Sequence, residues 1–162
     1  MSAAAIRPAL TPGDIAAFWA ARDEYLLRDI FPAGGGAEYF LSATFRETLR
    51  PLLERQTDPA RAVFFEAEGA RVGFCLYVTY ASEDNKCFLL DFCVFPPFRG
   101  RGLGRLCFAA LAERERADLY ELNCHDEKSA RFWASLGFIK NGFDRFGAPL
   151  MLRPPAGAEV SC

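Results

Sequence analysis

The chain has 162 residues, a formal net charge of −2, and a composition that is 51% hydrophobic and 25% charged. This length predicts one domain, and the composition is typical of a globular protein, which excludes a disordered or collagen-like chain. The negative net charge gives no reason to expect nucleic-acid binding. Phenylalanine is in surplus, with 16 Phe against 5 Tyr and 2 Trp, and rings without a polar group predict a core or an apolar pocket.

Six cysteines and one histidine limit the chemistry further. Five of the cysteines lie in apolar runs, where a free Cys behaves as a small hydrophobe. We expect no disulfide framework, because the chain is long enough to fold without one and shows no signal peptide. A lone His and the lack of Cys-x-x-Cys predict no metal site. No apolar run approaches the roughly 18 residues of a membrane span, so we expect a cytoplasmic protein.

The first predicted elements are a strand over residues 5–10 and a helix that begins after it. Thr11 is placed as the N-cap of this helix and Pro12 at its first position. A glycine-rich breaker over 33–36 separates it from a second helix over 38–55. The remaining elements, in chain order, are strands 61–66, 72–80 and 86–95, helix 102–117, strand 119–124, helix 126–136, and strands 138–143 and 149–153.

This order predicts an α/β (α+β) fold. Nearly every residue of the strand over 86–95 is apolar except Asp91. A strand that is apolar on both faces is usually central in a covered sheet. Strands mixed with crossovers predict a mixed, mostly antiparallel sheet of about six to seven strands, flanked by helices on both faces. The domain is expected to cover residues 1–153, followed by a disordered tail over 154–162.

A glycine-rich loop joins this central strand to the next helix. Residues 96–105 read Pro-Pro-Phe-Arg-Gly-Arg-Gly-Leu-Gly-Arg. Glycine lets a ligand approach the backbone, and the first N–H groups of a helix attract anions. With Arg99, Arg101 and Arg105 the loop predicts a phosphate site, the alternative being a turn with solvated arginines. A Walker loop is excluded, and the dinucleotide fingerprint fails because Arg105 stands where its third glycine would be.

Residues 94–104 resemble the acetyl-CoA-binding motif of the GNAT (GCN5-related) N-acetyltransferases, with Arg-x-x-Gly-x-Gly running from Arg99 to Gly104. A second stretch, 126–138, is similar to that family's Asn-x-x-Ala/Ser-x-x-x-Tyr-x-x-x-Gly-Phe. The resemblance implies an acyl-CoA N-acyltransferase-like fold without a metal. It also implies transfer of an acetyl group from acetyl-CoA to a primary amine of a small molecule or peptide, by direct attack on the thioester.

The resemblance also implies the cofactor contacts. The backbone of the central strand would contact pantetheine, and the loop would hold the pyrophosphate. Trp133 stands at the position of the family's proton-donating Tyr, and Asp126 at that of its cofactor-contacting Asn. The implied cofactor-binding residues are Phe92, Cys93, Val94, Arg99, Gly100, Arg101, Gly102, Leu103, Gly104, Arg105, Asp126 and Trp133. Asp126 would repel phosphates, so a helix-cap role is the alternative for it.

Three residues compete as the catalytic base. Glu121 lies in the strand before the second motif, where some family members that acetylate protein N-termini carry a catalytic Glu. Asp91 is the lone carboxylate of an apolar strand, where burial raises the pKa of an acid. His125 is the only histidine, and imidazole titrates near neutral pH. Trp133 is the further catalytic candidate, although indole N–H is no useful acid at neutral pH and could instead pack on the cofactor or in the core.

Cys93 is not expected to act as an acylated nucleophile, since no base adjoins it. A second hypothesis for the whole chain is a CoA-binding regulatory module without turnover, because Trp133 replaces the usual Tyr. We expect no nucleic-acid and no membrane partner, and a homodimer is left open.

The acceptor side is formed in this family by the first two helices, their connection and the last hairpin. Those segments predict an aromatic-walled pocket with carboxylates suited to a cationic amine. The aromatic residues concerned are Tyr25, Phe31, Tyr39, Phe40, Phe45, Phe138, Phe143 and Phe146, and the carboxylates are Asp23, Glu24, Asp29 and Glu38.

Overall fold

Among the residues that the structure describes, seven strands form one mixed sheet in the order β1-β2-β3-β4-β5-β7-β6. The computed structural model describes residues 3–33 and 35–157. The strands are β1 (Ala5–Pro8), β2 (Ala60–Ala67), β3 (Ala70–Thr79), β4 (Lys86–Val94), β5 (Leu119–Asn123), β6 (Ile139–Phe143) and β7 (Pro149–Arg153). All paired neighbours are antiparallel except β4 and β5, which are parallel. The predicted fold class is confirmed, with β4 in the middle of the sheet.

Five α-helices in the described part of the chain surround the sheet: α1 (Pro12–Tyr25), α2 (Glu38–Leu41), α3 (Ala43–Glu54), α4 (Leu103–Glu115) and α5 (Glu127–Ser135). α1 begins as predicted, since the Thr11 hydroxyl accepts a hydrogen bond from the Asp14 N–H at 3.1 Å. A π-helical turn over Leu26–Ile30 extends α1. The helix predicted over 38–55 is in fact two, because Ser42 is extended and caps α3 by accepting from the Phe45 N–H at 3.2 Å.

Two buried clusters cover the two faces of the sheet. On one face α4 and α5 pack through side chains such as Phe108, Leu111 and Trp133. On the other face α1 and α3 pack through Phe18 and Leu49. Helices therefore cover both faces, and burial of these large apolar side chains supplies the main favourable free energy of folding.

The central strands β4 and β5 diverge. Their pairing ends at Leu89 and Leu122, beyond which β5 continues beside β7 alone. At the same point the β3–β4 register steps from Leu76–Asp91 to Tyr77–Leu89, which leaves Leu90 as the extra residue of a β-bulge. A bulge bends its strand and increases the local twist. The result is a gap in the sheet beside residues 90–94 of β4.

Gly73 allows β3 to lie close to β4, on the edge of β4 opposite the gap. A Cβ atom on Gly73 would lie 2.1 Å from the carbonyl oxygen of Cys93. No side chain fits at that distance without moving the backbone of β4. Glycine at this position therefore fixes how closely the two strands approach.

Five cysteines are free thiols, whereas Cys162 lies outside the described residues. The predicted tail also falls partly there, over 158–162. No helix in the described part of the chain has both the length and the apolar character needed to cross a membrane.

Replacing Gly73 with Ala should lower the free energy of unfolding by about 3 kcal/mol, the upper end of the usual cost of overpacking. Urea denaturation followed by circular dichroism measures this loss. The control is Gly13→Ala in the first turn of α1, where the nearest atom to a Cβ is the Thr11 hydroxyl oxygen at 4.0 Å. That change should be neutral or stabilise by up to about 1 kcal/mol. Equal stabilities of the two variants would contradict the close approach at Gly73.

Candidate active site

A cleft of about 770 Å³ opens at the gap between β4 and β5. Its walls come from two sides of the sheet. The π-helical turn after α1 and the end of α1 form one wall, and the glycine-rich loop with α4 and α5 forms the other. The cleft therefore runs through the sheet at the point where the central strands separate.

The backbone of β4 presents N–H donors to this cleft. The Phe95 N–H bonds to the Val72 carbonyl of β3 at 2.8 Å. Because successive residues of a strand direct their backbone groups to opposite edges, the N–H groups of Phe92 and Val94 point away from β3 and into the gap. The Cys93 N–H faces β3 by the same alternation. Two of the three positions predicted on this strand therefore offer a donor to a ligand.

The glycine-rich loop forms the N-terminus of α4. Gly102 is the N-cap residue, with φ 77° and ψ 5°, and no side chain caps the helix. Gly100 has a φ of 74°, again in the region that favours glycine. A Cβ on Gly104 would lie 3.0 Å from the Phe132 ring. Three glycines thus leave the first N–H groups of α4 accessible, and such groups together with the helix dipole attract anions.

The three loop arginines lie in different places. Arg99 forms a two-point ion pair with Asp29, at 3.1 and 2.7 Å, and donates to the Val94 carbonyl at 2.7 Å. Arg105 lines the cleft and donates to the Ser135 carbonyl at 3.3 Å. Arg101 points away, 3.8 Å from Glu68, and is not among the described residues that line the cleft. Of the three arginines, Arg105 is therefore the one that can contact an anion in the cleft, together with the N-terminus of α4.

Trp133 closes the floor of the cleft as part of an aromatic cluster. Its ring centroid lies 4.9 Å from those of Phe92 and Phe132, 5.1 Å from that of Phe138 and 5.8 Å from that of Phe108. It is 6% exposed, so its position favours a packing role. Phe138, predicted on the acceptor side, instead lies in this core at 2% exposure.

Asp91 does not line the cleft as far as the described residues show. It lies on the α1 face, where its Oδ2 accepts from Arg22 Nε at 2.8 Å. Both side chains are almost fully buried. Arg22 also donates to the Phe40 carbonyl at 3.2 Å. A carboxylate committed to a buried arginine is poorly suited to accept protons during a reaction, so the structure gives no support to Asp91 as the base.

The other two base candidates differ in access to the cleft. Glu121 forms an ion pair with Lys86 at 3.4 Å, is 14% exposed, and is not among the described residues of the cleft wall. His125 lines the cleft. Its Nε2 lies 3.2 Å from the Ser129 hydroxyl oxygen and 3.4 Å from the Asp126 carboxylate.

Asp126 is the N-cap of α5, and its Oδ1 accepts from the Ser129 N–H at 2.7 Å. This backbone hydrogen bond, which outweighs the effect of partial burial, holds the pKa of Asp126 below its usual value. Asp126 therefore has the helix-cap role that the sequence predicts as the alternative for it. Asp126 also lines the cleft, but as a carboxylate already engaged by a helix terminus.

Burial raises the pKa of the Cys93 thiol to about 11, so it is protonated at neutral pH. Thiols react as thiolates, and this environment does not favour Cys93 as a nucleophile. Arg28 and Arg99 lie near its sulfur, at 3.8 and 3.7 Å.

Most of the residues predicted for the acceptor side do not line the cleft. Phe31 stacks on Phe40, and Tyr39, Phe40 and Phe45 pack edge-to-face against one another. Phe143 and Phe146 are 71% and 80% exposed. Of the aromatic residues named for that pocket, all of them described, only Tyr25 lines the cleft.

Of the four carboxylates, only Asp29 lines the cleft in the part of the chain described, while Asp23 pairs with Arg46 at 2.6 Å. Several cleft residues are not indicated by the sequence pattern, among them the cations Arg28 and Lys128. Arg28 lies on the π-helical turn. A π-helical turn changes the direction of the residues that it carries, and the helical period of 3.6 gives no sign of it.

Comparisons with known proteins agree with this geometry. The sequence model of the Acetyltransferase (GNAT) family matches residues 21–138. An acetyltransferase from Thermus thermophilus superposes with a TM-score of 0.70 at 20% identity, over 94% of this chain and 97% of that one. PaiA N-acetyltransferase from Thermoplasma acidophilum, solved with coenzyme A, gives 0.65 at 20% identity, over 95% and 99%.

N-acetylglutamate synthase from Neisseria gonorrhoeae, solved with coenzyme A and N-acetyl-glutamate, gives a TM-score of 0.63 at 16% identity, over 94% of this chain and 35% of that one. At these identities the likeness to each solved structure concerns the fold. No curated protein matches the sequence.

Asp91→Asn should lower the free energy of unfolding by about 3 kcal/mol, because it leaves Arg22 buried without its counter-ion. Urea denaturation measures the loss. The double variant Arg22→Met, Asp91→Asn should lose less than the sum of the two single losses, since contacting residues are coupled. Unchanged stability of Asp91→Asn would contradict the structural role and return Asp91 to the candidates for the base.

Proposed function

The chain belongs to the GNAT acetyltransferase family, and on that premise we propose that it transfers the acetyl group of acetyl-CoA to a primary amine of a small molecule or peptide. One observation carries the proposal: a single cleft joins an accessible helix N-terminus at Gly102 to the inward N–H groups of Phe92 and Val94. An anion site and a row of backbone donors on one path suit the pyrophosphate and the pantetheine arm of a CoA thioester. The CoA complex of the Thermoplasma protein, which has the same fold, is a further support.

Acetyl transfer follows from these groups. The lone pair of a neutral amine attacks the thioester carbonyl carbon, and the carbonyl oxygen gains negative charge. A fixed backbone N–H of Phe92 or Val94 stabilises that oxygen without reorganisation. The C–S bond then breaks, the amide forms as its nitrogen loses a proton to a base, and CoA leaves as a thiolate that is protonated separately. Holding both reactants in one cleft supplies much of the rate.

The leaving thiolate needs no strong acid. An ordinary thiol has a pKa of roughly 8.5, so a proton can reach the sulfur from water or from the substrate ammonium. Trp133, packed among four Phe rings, would then shape the floor under the pantetheine arm. With Trp133 in this packing role, the reaction needs no proton donor at the position where the family usually has Tyr.

His125 is the proposed base, acting directly or through a water molecule. Of the three candidates it lines the cleft, while Asp91 is paired with Arg22 and Glu121 with Lys86. The carboxylate of Asp126 at 3.4 Å would stabilise the imidazolium that forms. Glu121 remains the competing prediction.

The compartment proposed for this reaction is the cytoplasm. Five free thiols among the described residues suit a reducing environment.

His125→Gln should lower kcat by about 100-fold at neutral pH, within the usual contribution of general-base catalysis. The measurement is release of CoA thiol with saturating acetyl-CoA and the best acceptor. The matched variant is Glu121→Gln, which should keep the wild-type kcat. The reverse pattern would make Glu121 the base.

Gly102→Asp should weaken CoA binding by about 100-fold, because a carboxylate at the helix N-terminus repels the pyrophosphate. Isothermal titration calorimetry with CoA measures the loss. Gly147→Asp is the control, since Gly147 also has a positive φ, of 82°, with open space around it and lies outside the described cleft wall. Equal effects of the two changes would contradict the placement of the phosphate site.

The alternative is a CoA-binding module without turnover. A broad panel of amines with acetyl-CoA, followed by thiol release, separates the two functions. Tight CoA binding with no release above the hydrolysis background across that panel would favour the binding module.

A further inference from the structure

The α1 wall of the cleft carries a cation that acetyl transfer itself does not use. Arg28 lies on the π-helical turn and lines the cleft. Its Nη2 is 3.0 Å from Asp29 Oδ2 and 3.8 Å from the Cys93 sulfur. Its Nε and Nη1 have no acceptor within the described residues, and its side chain is about one third exposed, at 35%. Donors of Arg28 are therefore available to a ligand in the cleft.

Asp29 does not neutralise this wall. Burial alone would raise its pKa, but hydrogen bonds from Arg99 and Arg28 outweigh that effect and hold the pKa below its usual value. Asp29 is therefore ionised, and it is shared between two guanidinium groups. Two arginines against one carboxylate leave a net charge of +1.

The neighbouring groups on the same wall are neutral. Burial, followed by the charge of Asp91, raises the pKa of Tyr25 well above its usual value, and the Cys93 thiol has a pKa of about 11. Across the cleft stand the cations Arg105 and Lys128, together with His125. The one carboxylate on that side among the described residues, Asp126, caps α5. No further carboxylate in the described cleft is therefore available to neutralise the net positive charge of the α1 wall.

Arg28 also lies close to where the acetyl carbonyl would be. Cys93, whose sulfur it contacts, stands between Phe92 and Val94, the residues whose N–H groups face the gap. The pyrophosphate is served by a different wall, at the N-terminus of α4. An anionic group held by Arg28 would thus belong to the acceptor, a few bonds from the attacking nitrogen.

We propose that Arg28 binds a carboxylate of the acceptor, which makes the acceptor an amino acid or a similar amine with a carboxylate a few bonds from its nitrogen. This rests on the proposed acetyl transfer. Arginine matches a carboxylate with two parallel N–H donors. The same positive charge lowers the pKa of a nearby ammonium, which increases the fraction of neutral amine that can attack.

The first experiment compares amino acids with their carboxamides as acceptors, at equal concentrations of neutral amine. Wild-type protein should prefer each acid that it acetylates over its amide by about tenfold or more in kcat/KM, the value of a charge-assisted hydrogen bond. Arg28→Gln should remove that preference, mainly through a rise in KM for the acids, and Arg28→Lys should restore part of it. Arg7→Gln is the control, an exposed arginine on β1 paired with Glu66, and should keep the preference.

The second experiment does not depend on turnover. NMR of 15N-labelled arginine side chains in CoA-saturated protein is followed during titration with N-acetyl amino acids of different side chains and with their carboxamides. The acids should shift one Nε signal, absent in Arg28→Gln, in a saturable way, and the amides should not.

The outcomes separate this inference from the proposed function. Turnover of uncharged or polycationic amines in preference to every acid overturns the carboxylate site and leaves acetyl transfer standing. Selective binding of acids at Arg28 without turnover of any amine supports the site and overturns the enzyme. Acids and amides that bind equally, or an Arg28→Gln change that slows both equally, contradict the site.

Discussion

The separation of β4 from β5 is the constraint on which the rest of this structure depends. A continuous sheet would pair the backbone groups of β4 on both edges and leave nothing for a ligand. Here pairing stops at Leu89 and Leu122, a bulge at Leu90 bends the strand, and Gly73 keeps β3 tight against the other edge. The backbone that loses its neighbour becomes the lining of the cleft. The cleft proposed above to bind CoA therefore exists because hydrogen bonding between β4 and β5 stops part-way along the strands.

Around that gap the two helical layers have different tasks. The α4 and α5 layer brings a helix N-terminus and an aromatic floor, with Trp133 fixed by its Phe neighbours. The α1 layer brings charged side chains, one of which, Arg22, pairs in the core with Asp91 of β4. Burial of such a pair is costly unless it is hydrogen-bonded, and Arg22 has further partners in the Phe40 carbonyl and the Phe45 ring. Beyond this pair, Tyr25 at the end of α1 and the π-helical turn that follows it line the cleft.

Local patterns were sufficient for much of the fold and for one half of the site. The Thr11 cap, the apolar strand around Asp91 and the Gly102 loop depend on neighbouring residues in the chain, and each appears where the sequence predicts it. The ion pair of Arg99 could not be predicted from neighbouring residues, because its partner Asp29 is 70 residues away in the chain. Likewise, Arg22 can be identified as the ion-pair partner of Asp91 only once α1 is packed on β4. Side-chain pairing across the fold, and the π-helical turn that orients Arg28, are tertiary properties that no short motif encodes.

The Arg99–Asp29 ion pair described above has a thermodynamic consequence. Arg99 belongs to the loop that precedes the α4 N-terminus, and Asp29 to the turn that carries Arg28, so one pair of side chains joins both walls of the cleft. A ligand on either wall that alters this pair changes the charge met by a ligand on the other. Such linkage is reciprocal, with the same coupling free energy in both directions. With CoA on one wall and an acceptor on the other, as proposed above, each substrate would change the affinity of the other by the same factor, whichever binds first.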